Sequence, residues 1–464
     1  MSDNPFPPID PLDLPDSESR LAQAASRRTH LRRRRAVLAV LATAALVAVV
    51  LPLALTVRAG RPRSVQVIEG PSTTQTPAST PATVGRSATA TTAVGRVTDS
   101  LQRIAFLNPR QGYGLFDRQS PDGVCETVAA KTTDGGAHFT RLGMVDSQSC
   151  GVSENASMLA FDNHGDGFVY GPKLFVTHNG GVTWTPQAQP GTVLSVEASG
   201  YSVWMLEADC PAGTTTGGVV CPLRLLESSD GGHSWKPSPT QPPGAVAKAT
   251  ALKSEPAQGQ SWFIRVSTSA AYIVSTPGSS PDGSPTSAGL WYTADSGSTW
   301  TAGAVPCGFQ ALSVMLSAAP DGSLTAVCAW EPSAGFQPKS TAVSQDGGRT
   351  WVTHNPCPGP LIPQCANSVP SPLDSGYLGA IDSISATTTF LVGGRTQLLV
   401  TRDGGKTWQP VIPRVGGSGE NTDQVIFFDS HDGVVLGTDS NIGQALWTTT
   451  DGGATWSEIV PTIS

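Results

Sequence analysis

The sequence predicts an all-β fold built from seven similar units set around a common axis. Three observations predict it. One octapeptide recurs seven times, the recurrences are 45 to 65 residues apart, and each interval holds four short apolar runs. Periods of this size mark radial or stacked repeat architectures.

The repeated stretch is clearest at Thr401-Arg402-Asp403-Gly404-Gly405-Lys406-Thr407-Trp408. Its acidic or amide position is filled by Asp134, Asn179, Asp230, Asp295, Asp346, Asp403 and Asp451. Its aromatic position is filled by Phe139, Trp184, Trp235, Trp300, Trp351, Trp408 and Trp456. Asp-Gly-Gly between apolar runs is a hairpin signal, because glycine takes φ > 0 without a steric penalty. The carboxylate can accept hydrogen bonds from backbone N–H groups ahead of it, and a Ser or Thr two residues earlier can add a hydroxyl to the network. The aromatic residue begins the next strand and offers a large ring to a neighbouring unit. Phe139, in the first copy, is expected where drift at a terminal unit is tolerated.

The spelling S/T-x-D-G-G-x-T-W resembles the Asp-box (BNR) repeat of sialidases, the sortilin ectodomain and photosystem II assembly/stability factors. The resemblance covers about residues 100–460 and implies a turn joining the third and fourth strands of a β-propeller blade, away from the ligand face. The box Asp residues are therefore expected to be structural rather than catalytic or Ca²⁺-binding.

Composition agrees with a large β domain: 464 residues, 14% charged, 50 Gly and 38 Pro. Residues 1–63 hold 10 Arg against 5 acidic residues, and the rest of the chain holds 19 basic against 31 acidic. A net charge of about −12 on the larger part speaks against nucleic acid or anionic lipid as its partner.

Taken in order, residues 1–35 read as a disordered cytoplasmic tail ending in the cluster Arg32-Arg33-Arg34-Arg35. Ala36 to Val57 is an uncharged run of 22 residues, which at ~1.5 Å per residue spans a ~30 Å hydrocarbon core. Seven Arg precede it and three follow closely, so a single transmembrane helix at 36–57 would leave its N-terminus in the cytoplasm. The alternative is secretion after signal cleavage. Ser26-Arg27-Arg28-Thr29-His30-Leu31-Arg32 resembles a twin-arginine export signal, and Val57-Arg58-Ala59 has small residues at cleavage spacing. Residues 58–96 are a Ser/Thr/Pro-rich linker.

Residues 97–464 then repeat one plan. In the second unit Met158 to Phe161, Phe168 to Tyr170 and Lys173 to Val176 precede the box, and the last unit follows suit from Val425 to Phe428. Four strands in each of seven units make a seven-bladed propeller. Nothing in the pattern says how the ring closes.

Turns between strands one and two share a face with the boxes. Loops between strands two and three share the other with the blade connections. The insertions, 209–220, 237–247, 276–287 and 355–376, all fall on that second face. So do the eight cysteines: Cys125, Cys150, Cys210, Cys221, Cys307, Cys328, Cys357 and Cys365. Eight cysteines allow 105 connectivities; pairing neighbours (125–150, 210–221, 307–328, 357–365) needs no crossing of the ring. Disulfides there imply an oxidising compartment, and they either rigidify a binding surface or protect exported loops.

Catalytic chemistry is sparse. Gln102-Arg103-Ile104-Ala105 is similar to the F/Y-R-I-P motif of sialidases at two of four positions. That resemblance implies an arginine triad for a carboxylate, for which Arg224, Arg265, Arg395 and Arg414 remain, and a tyrosine nucleophile, for which Tyr292 and Tyr377 remain. Arg103 and Tyr377 are the catalytic candidates on this basis. Glu207, Asp209 and Glu331 are expected near the elaborated face, where acids are commonly just solvated. Trp262 and Trp330 read as sugar- or peptide-stacking rings or as core. No P-loop, H-E-x-x-H or G-x-S-x-G occurs, and no metal or cofactor motif. The expectation is a membrane-anchored, extracytoplasmic, non-enzymatic binding or assembly scaffold for a protein or glycan ligand, with an exo-sialidase-like glycoside hydrolase as the alternative.

Overall fold

The computed structural model describes residues 98–120, 122–149, 158–171, 173–209, 221–243, 245–246, 261–275, 289–307, 311, 313–330, 337–354, 372–374, 377–394, 397–411, 422–439 and 443–464. The chain divides into units 1–92 and 93–464, and every described residue belongs to the second. The tail, the 36–57 span and the 58–96 linker lie outside the described residues. Among those described, no helix is long and apolar enough to cross a membrane.

Seven antiparallel sheets form the blades. Blade 1 holds β1 (Thr98–Phe106), β2 (Gly112–Gln119), β3 (Val124–Thr132) and β4 (His138–Ser149). Blade 2 is β5 (Met158–Phe161), β6 (Gly167–Tyr170), β7 (Leu174–Thr177) and β8 (Thr185–Gln187). Blade 3 is β9 (Thr192–Ser199), β10 (Ser202–Ala208), β11 (Cys221–Ser228) and β12 (Lys236–Pro237), with β13 (Ala245–Val246) also on β11. Blade 4 is β14 (Ser261–Arg265), β15 (Ala271–Ser275), β16 (Gly289–Thr293) and β17 (Thr301–Gly303). Blade 5 is β18 (Ser313–Ala318), β19 (Leu324–Ala329), β20 (Lys339–Ser344) and β21 (Val352–His354). Blade 6 is β22 (Tyr377–Ser383), β23 (Thr389–Gly394), β24 (Gln397–Thr401) and β25 (Gln409–Pro410). Blade 7 is β26 (Thr422–Phe427), β27 (Gly433–Asp439), β28 (Gly443–Thr449) and β29 (Ser457–Ile459). The insertions at 209–220 and 276–287 thus fall between second and third strands, and 355–376 falls between blades.

The core is distributed over the seams between blades. Successive residues of a strand point to opposite faces, and both faces of each blade are covered. Phe390 and Val392 join Val435 and Trp456 in the seam of blades 6 and 7, while Leu391 between them joins Met315 and Val327 in the seam of blades 5 and 6. Continuous apolar runs such as Val203-Trp204-Met205-Leu206 have the same cause: Val203 and Met205 face blade 2, and Trp204 and Leu206 face blade 4.

The ring closes at the end of the chain. A short final strand, β30 (Thr462–Ile463), adds in parallel to β4 of blade 1. Thr462 N–H donates to Ala137 O (3.1 Å), Ser464 N–H to Phe139 O (3.0 Å) and Arg141 N–H to Ser464 O (2.9 Å). Phe139 does not occupy a tolerant terminal position: it is fully buried against Leu436 and Leu446 of blade 7. Blade 1 completes a circle, so its outer surface is a seam like the others.

Removing residues 461–464 deletes these three bonds and the Ile463 contact with the closing seam. It is expected to cost about 3 kcal/mol, read as an earlier midpoint in chemical denaturation of the untagged protein.

Candidate functional site

All seven boxes share one hydrogen-bond scheme. The first hydroxyl (Thr132, Thr177, Ser228, Thr293, Ser344, Thr401, Thr449) donates to the Asp or Asn Oδ1 at 2.7–2.9 Å. That hydroxyl accepts the second glycine's N–H at 2.8–3.0 Å. Oδ1 also accepts the N–H four residues on, at 2.8–3.0 Å. Gly405 shows why the second glycine is needed: its φ is +87°, and a Cβ there would collide with Thr341 of blade 5.

The box tryptophans sit one residue ahead of their fourth strands and face the preceding blade. Trp235 Nε1 donates to Gln187 Oε1, Trp300 Nε1 to Thr240 O, Trp351 Nε1 to Ala304 O and Trp408 Nε1 to Thr341 Oγ1. Trp184 and Trp456 donate to Gly181 O and Gly453 O of their own boxes. The indoles are thus spent on the seams.

Opposite the rim, the first strands of the blades surround a central cavity of about 620 Å³. Among the described residues each first strand has one edge with no neighbouring strand, and polar side chains from adjacent blades cap backbone there. Gln424 (blade 7) accepts Ile104 N–H at 2.8 Å and donates to Ile104 O at 3.2 Å in blade 1. Asp382 (blade 6) accepts Phe427 N–H of blade 7 at 2.7 Å, and Ser317 (blade 5) accepts Ser383 N–H of blade 6 at 3.0 Å. Arg265 (blade 4) donates to Ser202 O (2.7 Å) and Glu197 O (3.3 Å) of blade 3, lying 4.6 Å over the Trp204 ring.

Two carboxyls in this lining titrate near neutrality. Burial pushes Asp382 up to about 7, although the Phe427 and Ser383 N–H groups pull the other way. Burial likewise pushes Glu197 up to about 7 against the opposing charge of Arg265. Burial also holds Arg265 down to about 10. At the surface the order reverses: hydrogen bonds from Thr455 hold Asp451 down to about 2, and those from His138 hold Asp134 down to about 2.

Arg103 lies in β1, with its Nη1 2.9 Å from Gln102 O. Burial lowers its pKa, and Asp423 of blade 7 opposes that shift. Tyr377 is the first residue of β22, at the other end of a first strand from the cavity-lining Asp382. The cavity lining does not include Arg103. Arg224 forms an ion pair with the fully buried Glu207 (2.8 Å) inside blade 3, so Glu207 is not a solvated acid. Trp330 packs in the seam of blades 4 and 5. Cys307 is bonded to Cys328, and Cys125 and Cys221 are disulfide-bonded as well. Cys150, Cys210, Cys357, Cys365, Glu331, Arg395 and Arg414 lie outside the described residues, as do most of the four insertions. That Asp382 of blade 6 and Glu197 of blade 3 both line the central cavity was missed in the sequence. The available signal is one acid near the end of each apolar first strand, Leu378 to Asp382 and Thr192 to Glu197.

The fold is an Asp-box propeller. The sequence model of the family described as Photosynthesis system II assembly factor YCF48 matches residues 367–462. Among solved structures, YCF48 bound to D1 peptide is 19% identical, with a TM-score of 0.48 over 76% of this chain and 94% of that one. YCF48 from Cyanidioschyzon merolae is 15% identical, with a TM-score of 0.46 over 77% and 97%. The Hadza microbial sialidase Hz136 is 12% identical, with a TM-score of 0.33 over 78% and 65%. These are likenesses of fold. No curated protein matches.

The pKa pattern sets a stability profile. The folded protein keeps protons on Asp382 and Glu197 that the unfolded chain releases near pH 4, so these groups lower stability as pH rises from about 4 to 7. The box aspartates act oppositely, their contribution being lost as pH falls from about 4 toward 2. Asp382→Asn keeps an acceptor for Phe427 N–H and is expected to flatten the upper slope, adding on the order of 2 kcal/mol at pH 8. Thermal midpoints of both proteins between pH 3 and 8 check this.

Proposed function

We propose that this protein is a membrane-anchored, extracytoplasmic propeller that works as a non-enzymatic binding or assembly scaffold for a protein ligand. The observation that carries the reading is the match of residues 367–462 to the assembly-factor family. The chemistry of the site supports it. The polar groups between the first strands are engaged with the protein itself: Gln424, Asp382, Ser317 and Arg265 bond the backbone of neighbouring blades. Of the two sialidase-type candidates, Arg103 stands in blade 1 outside the cavity lining, and Tyr377 is the first residue of a blade 6 strand. On this reading the ligand meets the loop face, the side on which the second-to-third-strand insertions fall in chain order.

The anchor rests on the uncharged run from Ala36 to Val57 and its asymmetric arginines. Export agrees with the Cys307–Cys328 disulfide, since such bonds persist in oxidising compartments.

Full-length protein is expected to show no turnover on a fluorogenic sialoside or a glycoside panel. A photocrosslinker at Asp209, on the loop face, should capture an envelope protein where one at Asp451, on the box face, does not. Sialoside turnover that vanishes in Arg103→Ala would move the protein to the hydrolase class. Membrane attachment is checked separately: the chain should stay with the pellet after alkaline carbonate extraction, and deletion of 36–57 should release it.

A further inference from the structure

The box face carries a feature that a turn-forming role does not require. Three metal-ligating side chains converge at the seam of blades 2 and 3: Asp166, His178 and His233, with ligand atoms all within 4.8 Å of one another. Asp166 ends the turn from β5 to β6, His178 is the second residue of the blade 2 box, and His233 is the sixth of the blade 3 box. We propose that this cluster binds a late first-row transition-metal ion, of which zinc is the type, bridging the two blades.

The carboxylate is already placed. Asp166 has a side chain only 7% exposed, and Gly231 of the blade 3 box packs so closely on it that a Cβ there would collide with Asp166 Oδ2. Its Oδ1 lies 2.8 Å from His178 Nδ1. An ion replacing the proton between them sends that proton to solvent and needs the two atoms to part by a few tenths of an ångström, since zinc holds N and O ligands at ~2.0–2.2 Å.

The second imidazole is prepared in another way. His233 Nδ1 lies 2.7 Å from the backbone oxygen of Asp230, which places its hydrogen on Nδ1 and leaves the Nε2 lone pair for a ligand. Metal-bound histidines characteristically have their second nitrogen held like this. The rings of His178 and His233 are stacked at 3.5 Å and 18°, and a ligand nitrogen of each lies within 4.8 Å of the other. His233 is exposed at the surface, so its ring is free to pivot about the hydrogen bond to Asp230 O as Nε2 meets the ion. Two imidazoles and one carboxylate suit zinc, copper or nickel rather than calcium or magnesium, which prefer oxygen ligands. Three protein ligands leave a further position for water.

The test uses full-length protein in detergent, without an affinity tag and stripped with chelator. Zinc titrated calorimetrically should bind with one-to-one stoichiometry and raise the thermal midpoint, and calcium should do neither. Cobalt should give visible bands of low-symmetry coordination that zinc abolishes. His233→Gln and His178→Gln should each weaken zinc binding about tenfold or more, while His431→Gln, an exposed histidine of blade 7, should leave it unchanged. His233 contributes no core packing, so its variant carries the test if His178→Gln folds poorly. No saturable zinc binding, or equal binding by His233→Gln, overturns the proposal.

Discussion

Closure of seven sheets on a circle is the constraint on which the rest depends. A lone four-stranded blade cannot cover either of its faces, so each is stable only between two others. Where chain ends meet, the same burial must be achieved without covalent continuity. The closing seam sets Leu101, Phe116 and Phe139 of blade 1 against Val434, Leu436 and Leu446 of blade 7. It is fastened at the rim by β30 on β4 and at the centre by the two hydrogen bonds of Gln424 to Ile104. Holding both radii prevents blade 1 from peeling away like a frayed terminal repeat.

The same geometry creates a polar problem at the axis. First strands end their sheets there and offer backbone groups with no partner strand, while buried polar groups must be bonded. Side chains from adjacent blades serve as partners, some of them ionisable. Enclosure then disfavours their charged forms, which is why Asp382 and Glu197 hold protons up to about 7. At the surface, the box aspartates meet several donors in water and stay ionised. One residue type serves two ends of the blade with opposite titration, the difference being set by solvent.

The two faces of the ring divide the work. The box face is made of repeated, self-satisfied turns, so a departure from repetition stands out, and the histidines of blades 2 and 3 are such a departure. The long insertions fall, in chain order, between second and third strands or between blades, on the side away from the boxes.

Fold class and blade number were legible because the box is local: its hydroxyl, carboxylate, two glycines and aromatic ring lie within eight residues, and each has a turn or strand reason to be there. The disulfide between Cys307 and Cys328 was legible as a neighbour pairing for a related reason, its 21-residue separation keeping both ends within blade 5 and the connection that leads to it. The tertiary structure alone decided how the ring closes, that Phe139 is central to a seam, and that Glu207 is paired with Arg224 rather than solvated. It alone brought Asp166, His178 and His233 together from two blades. Those outcomes join residues across turns and blades, from 12 residues apart for Asp166 and His178 to 325 for Ala137 and Thr462. Strand periodicity says that a side chain faces a neighbour, but only the closed ring determines which neighbour it meets.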